Sequence, residues 1–249
     1  MWSHSVSGSL SQSPSMVEAV RVVTAVTGRQ APLPEWTQLG AIVGLEGGTA
    51  NVSAIVESLY SAGVPLAGKV AHSKHLTTVL PIPRHRTLGS QCMHVHVHLG
   101  VWLQDWVGLQ HSWDGDRLIW NWELNNDWYP KWDSMVASWR RRNTRVLTYI
   151  SPFFSDPTAY SSSNTSFRHN FFREGIDNGF FIHRSDGSTY LMNSLSIQFA
   201  MLDLTNPSAV VWMKGIIVNQ TIAEAHSSGW MCDFGEYLPF DAVLFNVSE

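Results

Sequence analysis

Two carboxylates near the end of the chain have the residue type and spacing that best suit catalysis. Asp233 and Glu236 lie in the segment GWMCDFGEYLP, directly after a short apolar run. Such a run predicts a buried strand, and a strand end can hold a carboxylate rigidly enough to attack a carbon atom. Cleavage of a glycoside with retention needs such a nucleophile and a second carboxyl that protonates the leaving oxygen. We predict Asp233 as the nucleophile and Glu236 as a supporting residue.

The same segment resembles the nucleophile strand of glycoside hydrolase family 31, and specifically of its sulfoquinovosidase branch. The resemblance is carried by the string WMCDFGEYLP and extends over roughly Val17 to Leu66 and Val101 to Phe245. It implies a retaining α-glycosidase whose substrate is a carbohydrate and which needs no cofactor, because carboxylates supply both acid and nucleophile. The general acid/base of the family, an Asp, is expected beyond this chain. The string DFG also occurs in protein kinases, but neither a glycine-rich loop nor an HRD loop lies upstream of it.

A second group of residues resembles the part of the sulfoquinovosidase site that binds the sulfonate. In VWLQDWVGLQHSWDGDRLIWNW the matching residues are Gln104, Arg117 and Trp120, and Asp105 lies at the same predicted strand end. A sulfonate is a permanent anion, which a guanidinium and neutral N–H donors bind well. These residues, with Glu46, are the predicted substrate-binding set.

Glu46 departs from the family pattern, which usually has Gln or Lys at this position. A carboxylate repels a sulfonate unless it is protonated, turned away or neutralised by Arg117. Two alternatives to a sulfoquinovosidase therefore stay open. One is a neutral-sugar α-glucosidase of the same family, in which Glu46 and Arg117 pair, and the other is a catalytically inactive truncated chain.

Apolar strands alternate with helices along the chain, which favours an α/β fold with a parallel sheet. The resemblance selects a (β/α)8 TIM barrel, of which the chain is expected to contain the first four strands and therefore to be inactive alone. The predicted strands are Gly40–Leu45, Val101–Trp106, Val146–Ile150 and Gly229–Asp233, and the predicted helices are Met16–Gly28, Asn51–Ala62, Asp133–Arg142 and Pro207–Ala225.

We predict two domains: residues 1–35 form an N-terminal tail and linker helix, and residues 36–249 form the partial barrel. Residues 69–100 are rich in His, and removing them joins GVPLAG to VWLQDW as the family pattern requires. We interpret this segment as an insertion or as a translated retained intron. Within it His94, His96 and His98 alternate and could hold zinc on a strand, but we interpret them as a chance pattern and predict no metal site.

The composition excludes several classes of protein. The net charge is −4 and the basic residues form no stripe, which argues against a nucleic-acid partner. The sequence contains no run of eighteen apolar residues, so no membrane span is predicted. The first residues lack the pattern of a secretory signal. Two cysteines specify no disulfide framework, and Cys232 is expected to point into the packing beside the nucleophile. Cellular compartment and oligomeric state stay open.

Overall fold

A computed structural model describes residues 12, 14–38, 40–64, 99–103, 109–110, 117–118, 120–159, 167–194 and 197–245. The chain divides into two compact units, Met1–Glu35 and Trp36–Glu249. The first unit contains helix α1, Met16–Thr27, which Ser15 caps by accepting a hydrogen bond from the Glu18 N–H. No residue of α1 is buried.

Within the described residues, the second unit contains every strand and four α-helices. In chain order the strands are Ile42–Leu45 (β1), Leu99–Leu103 (β2), Leu109–Gln110 (β3), Arg117–Leu118 (β4), Thr144–Ile150 (β5), Phe153–Phe154 (β6), Leu191–Ser194 (β7), Ile197–Met201 (β8) and Trp230–Cys232 (β9). The helices are Gly48–Ser61 (α2), Trp132–Arg141 (α3), Phe171–Asp177 (α4) and Pro207–Ile216 (α5), which continues as a π-helical segment over Ile217–Glu224. No described helix combines the length and the apolar character that crossing a bilayer requires.

The main sheet contains four parallel strands in the order β1-β2-β5-β9. Leu45 pairs with Leu103, and Ile150 pairs with Cys232, so the carboxyl ends of the strands meet at one edge. Helix α2 lies between β1 and β2 in the chain, α3 between β2 and β5, and α5 before β9. Sheet order that follows chain order, with helices in between, is the arrangement of consecutive βα units. The predicted α/β fold with four parallel strands is therefore confirmed.

Helix α2 begins earlier than the sequence pattern indicated. The sequence pattern predicts a helix from Asn51, whereas the helix begins at Gly48, whose φ is +77°. A Cβ at this glycine would lie 2.5 Å from the Trp128 carbonyl oxygen, so the backbone approach requires glycine. Strand β2 begins at Leu99, inside the segment predicted as an insertion, while residues 65–98 lie outside the described residues.

A second sheet and helix α4, which the sequence pattern does not predict, lie between β5 and α5 in the chain. Strands β6, β8 and β7 form this antiparallel sheet, in that order. Strand β6 has only two residues, which is too short to show a period of two in sequence. Both of them, Phe153 and Phe154, are buried, and they pair with Met201 and Ala200 of β8.

Large aromatic side chains fill much of the core of the second unit. Trp122 and Trp132 are almost fully buried, and each donates its indole N–H to a backbone carbonyl. The acceptor for Trp122 is Phe153 at 2.8 Å, and the acceptor for Trp132 is Ala225 at 3.0 Å. A buried indole N–H costs free energy unless it is hydrogen-bonded. Both N–H groups have an acceptor, so we assign these two tryptophans a structural role.

Candidate active site

Asp233 lies directly after β9, at the edge where the parallel strands end. Its backbone N–H donates to the Ile150 carbonyl at 3.1 Å, which extends the pairing of β5 and β9 by one bond. Its side chain is half-buried, and Oδ1 accepts a hydrogen bond from the Phe234 N–H at 3.0 Å. Phe234 has φ of +62°, a left-handed conformation that is strained for an aromatic residue. The turn after β9 therefore holds the carboxylate by its own backbone.

The other oxygen of Asp233 faces strand β5. Tyr149 lies on β5 opposite Met231, is 1% exposed, and has its hydroxyl 3.3 Å from Asp233 Oδ2. Burial and then the negative charge of Asp233 raise the pKa of the Tyr149 hydroxyl far above its ordinary value. The hydroxyl therefore stays protonated, so it is the donor and the carboxylate is the acceptor. Each oxygen of Asp233 accepts one hydrogen bond from this scaffold.

A cluster of aromatic rings borders the candidate nucleophile. We call it the aromatic cluster, and its members are Trp120, Phe153, Phe199, Phe234 and Tyr237. The ring centroids of Phe153 and Phe234 are 5.4 Å apart in a stacked arrangement, and the Trp120 indole contacts both Phe153 and Phe199 edge to face. These contacts connect Trp120 to the residue that follows Asp233.

Trp120 is anchored by its backbone, while its indole N–H has no partner among the described residues. The Trp120 N–H donates to Ser155 Oγ at 3.0 Å, and the Ser155 N–H donates back to the Trp120 carbonyl at 3.2 Å. The side chain is 3% exposed, yet Nε1 bonds to nothing among the described residues. A buried donor without an acceptor is unfavourable, and such groups are found at sites that bind a ligand.

Two buried polar residues beside Trp120 connect this segment to the chain around residue 168. Asn121 donates to the His169 carbonyl and accepts from the Phe171 N–H. The Glu123 carboxylate, 3% exposed, accepts from the backbone N–H groups of Arg168 and His169 and from Arg168 Nε at 2.6 Å.

Arg168 also pairs with Glu224, at the end of the π-helical segment. These hydrogen bonds, that to Glu224 above all, raise the pKa of the Arg168 guanidinium above its ordinary value. One arginine thus bridges two carboxylates and fixes the segment that carries Trp120.

The structure places some of the predicted site residues and leaves others undescribed. Asp233 and Trp120 are brought together through the aromatic cluster. Glu46 follows β1 at the same edge of the sheet and is exposed. Gln104 and Asp105 lie outside the described residues, and of Arg117 only the backbone is described, pairing with Gln110 in a two-stranded hairpin.

Glu236 is exposed and has no hydrogen bond or ion pair to any described residue. The structure thus gives Glu236 no bond to Asp233, and its supporting role stays a prediction. The expectation that Cys232 points into the packing is wrong, because Cys232 is exposed. All three residues of β9 are exposed, and among the described strands β9 pairs only with β5.

Sequence reasoning missed Tyr149, Glu123 and Arg168. Tyr149 reaches Asp233 only through the register of β5 with β9, which the residue pattern does not reveal. Glu123 and Arg168 are separated by a long stretch of chain, and nothing local indicates that they pair. One signal was available for Glu123, since a carboxylate within the strongly aromatic run WNWEL predicts a buried charge that needs a partner.

Comparison with known proteins gives a consistent result. Residues 84–247 match the family model described as the glycosyl hydrolases family 31 TIM-barrel domain. The chain is 29% identical over 230 residues to the sulfoquinovosidase of Escherichia coli strain K12, covering 92% of this chain and 27% of that protein. It is also 29% identical to the sulfoquinovosidase of Agrobacterium fabrum, covering 93% of this chain and 28% of the relative.

Among solved structures, a family 31 sulfoquinovosidase from E. rectale in complex with the aza-sugar inhibitor IFGSQ superposes with a TM-score of 0.70. It is 27% identical to this chain, and the match covers 94% of this chain and 28% of that structure. A family 31 dextranase from Flavobacterium johnsoniae shares the fold at 15% identity and a TM-score of 0.59, with 88% and 21% covered. The chain thus spans little more than a quarter of the length of the curated sulfoquinovosidases that it matches.

Proposed function

Because the chain belongs to glycoside hydrolase family 31, we propose that it is part of a retaining α-glycoside hydrolase that cleaves α-sulfoquinovosides through Asp233. The observation that carries this proposal is the position of Asp233. It is a half-buried carboxylate at the carboxyl edge of a parallel sheet, with a donor on each oxygen. Barrel enzymes assemble their active sites at this edge.

The proposed reaction has two steps. The Asp233 carboxylate attacks the anomeric carbon of an α-glycoside, while an acid protonates the departing glycosidic oxygen, and a β-linked glycosyl-enzyme forms. Water then attacks the same carbon, the acid residue now takes the proton from that water, and the carboxylate leaves. Two inversions give net retention. The acid/base is proposed to lie in the part of the relatives that this chain does not cover.

The choice of a sulfonated sugar rests on the relatives and on Trp120. Two sulfoquinovosidases match almost the whole chain. The Trp120 indole N–H is buried and unpartnered among the described residues, and its ring contacts Phe234 next to the nucleophile. An anionic sulfonate would supply the missing acceptor, and Gln104 and Arg117 are proposed to bind the same group. Glu46 is exposed, and its carboxylate is proposed to turn away from this anion.

The test uses the complete natural protein that carries this chain, assayed on para-nitrophenyl α-sulfoquinovoside and α-glucoside. Asp233→Asn should lower kcat/KM on the sulfoquinovoside by roughly 10³-fold or more, because an amide cannot act as the nucleophile. The matched control is Asp241→Asn, the same change at an exposed carboxylate that bonds only to the Tyr190 hydroxyl among the described contacts, and it should keep full activity.

Two results would contradict separate parts of the proposal. Full activity in Asp233→Asn would rule out the nucleophile. A wild-type protein that cleaves the glucoside as efficiently as the sulfoquinovoside would keep the nucleophile and replace the substrate with a neutral sugar.

A further inference from the structure

We propose that Tyr149 is a positioning residue for the nucleophile, and that its hydroxyl orients the Asp233 carboxylate for attack on the anomeric carbon. This inference rests on the proposed function of Asp233. Its basis is the hydrogen bond of 3.3 Å from the Tyr149 hydroxyl to Asp233 Oδ2, which joins neighbouring strands β5 and β9 at their carboxyl ends.

The two oxygens of Asp233 accept hydrogen bonds from different parts of the chain. Oδ1 is held by the N–H of Phe234, the next residue in the chain, so this bond exists whenever the local turn forms. Oδ2 accepts from Tyr149 on a different strand, so among the described contacts of the Asp233 side chain this bond ties the carboxylate directly to β5. A free carboxylate rotates readily about its terminal torsion, and a nucleophile must lie within a narrow range of geometry to react.

Tyr149 is itself rigidly placed. Its side chain is 1% exposed, its ring packs 6.2 Å from the ring of Trp122, and Trp122 is fixed by its indole bond to the Phe153 carbonyl. The hydroxyl is the only polar group of this buried side chain, and it points toward Asp233. A buried tyrosine whose hydroxyl bonded to nothing could be replaced by phenylalanine without loss of stability. The Tyr149 hydroxyl, in contrast, has a charged acceptor.

The hydroxyl also remains a donor in every state of the proposed reaction. In the free enzyme, burial and the Asp233 charge hold its proton. In the glycosyl-enzyme one oxygen of Asp233 becomes the carbonyl of the ester, and the same O–H can still donate to the carboxyl group. Tyr149 therefore orients the group in both steps and transfers no proton.

The test compares Tyr149→Phe with Tyr60→Phe in the complete protein. Tyr60 is the matched control, because its hydroxyl lies 2.5 Å from Thr144 Oγ1, at the opposite end of the same strand. Both variants lose one tyrosine hydroxyl and keep the ring. We expect kcat/KM of Tyr149→Phe to fall about 10- to 100-fold, as for loss of a bond to a charged group, and Tyr60→Phe to keep wild-type kcat/KM.

A second measurement separates orientation of the nucleophile from substrate binding. The inhibition constant of the product sugar should be unchanged in Tyr149→Phe, because the carboxylate remains and only its orientation is lost. Thermal unfolding of the two variants shows whether each is folded.

Three outcomes would be decisive. An unchanged kcat/KM in folded Tyr149→Phe would overturn the inference, and so would an inhibition constant that rises in parallel with the loss of kcat/KM. Activity in Asp233→Asn would instead refute the proposed function, so the two failures are distinguishable.

Discussion

The indole of Trp120 and the ring of Phe234 meet edge to face, with their centroids 6.3 Å apart. This contact connects the segment that carries the indole N–H, which has no partner among the described residues, with the residue that follows Asp233, the proposed nucleophile. In the proposed reaction, the anionic group and the anomeric carbon would both lie beside the aromatic cluster.

The first prediction concerns Trp120→Phe in the complete protein. It removes the indole N–H and keeps an aromatic ring, so kcat/KM on the sulfoquinovoside should fall about tenfold while activity on the glucoside is unchanged. The control is Trp122→Phe, which removes an N–H that bonds to the Phe153 carbonyl, and it should affect both substrates equally. An equal loss on both substrates in Trp120→Phe would contradict a role in sulfonate binding.

The second prediction concerns the buried carboxylate of Glu123. Glu123→Gln places an amide N–H₂ against the donors of Arg168 and His169, and it should lower the free energy of unfolding by about 2–3 kcal/mol. Glu224→Gln alters the more exposed end of the same network, and it should cost at most about 1 kcal/mol. Urea unfolding of both variants measures the two values. Equal losses would show that burial does not set the strength of the network.

Local sequence is enough to predict the four parallel strands and the location of Asp233 at the end of one of them. The position of Asp233 directly after a strand could be predicted because a short apolar run precedes it, whereas its catalytic role stays a prediction. The four parallel strands could be predicted because each one alternates with a helix. Tyr149 could not, because its contact with Asp233 depends on the register between two strands, and a shift of one residue would turn it to the other face.

The remaining misses have similar physical causes. The pairing of Glu123 with Arg168 arises only when distant segments pack together. Cys232 was expected inside because strand residues alternate between faces, but all of β9 is exposed in the described sheet. The predicted start of α2, Asn51, lies after the observed start, Gly48, because the contact of Gly48 with Trp128 comes from tertiary packing.

The third prediction concerns how the Asp156 carboxylate contributes to the free energy of unfolding at low pH. Partial burial would raise the pKa of this carboxyl, but donors from Thr158, Asn170 and Arg173 outweigh burial, and the pKa is lowered from its ordinary value. A pKa that is lower in the folded state contributes stability above about pH 4, and this contribution is lost as pH falls further.

The measurement is the free energy of unfolding of the wild type and of Asp156→Asn between pH 6 and pH 3. The wild type should lose stability more steeply below about pH 4, because the variant has no carboxyl to protonate. Parallel curves for the two proteins would contradict this account of Asp156.

The fourth prediction compares two glycines in helices. A Cβ at Gly175 of α4 would lie 2.3 Å from the ring of Phe181, so Gly175→Ala should lower the free energy of unfolding by about 2 kcal/mol. A Cβ at Gly215 of α5 would meet nothing within 4 Å, so Gly215→Ala should raise it by about 0.5–1 kcal/mol through helix propensity. Thermal or urea unfolding gives both changes. A stabilising Gly175→Ala would show that this helix does not need the close approach to Phe181.

The most direct test of the central claim is to trap the glycosyl-enzyme. The complete protein would be incubated with a fluorinated α-glycoside substrate analogue that forms the ester rapidly and releases it slowly, then digested and mapped by mass spectrometry. We predict one added sugar per protein molecule, attached to the peptide that contains Asp233 and absent in Asp233→Asn. A label on any other peptide would contradict the assignment of Asp233 as the nucleophile.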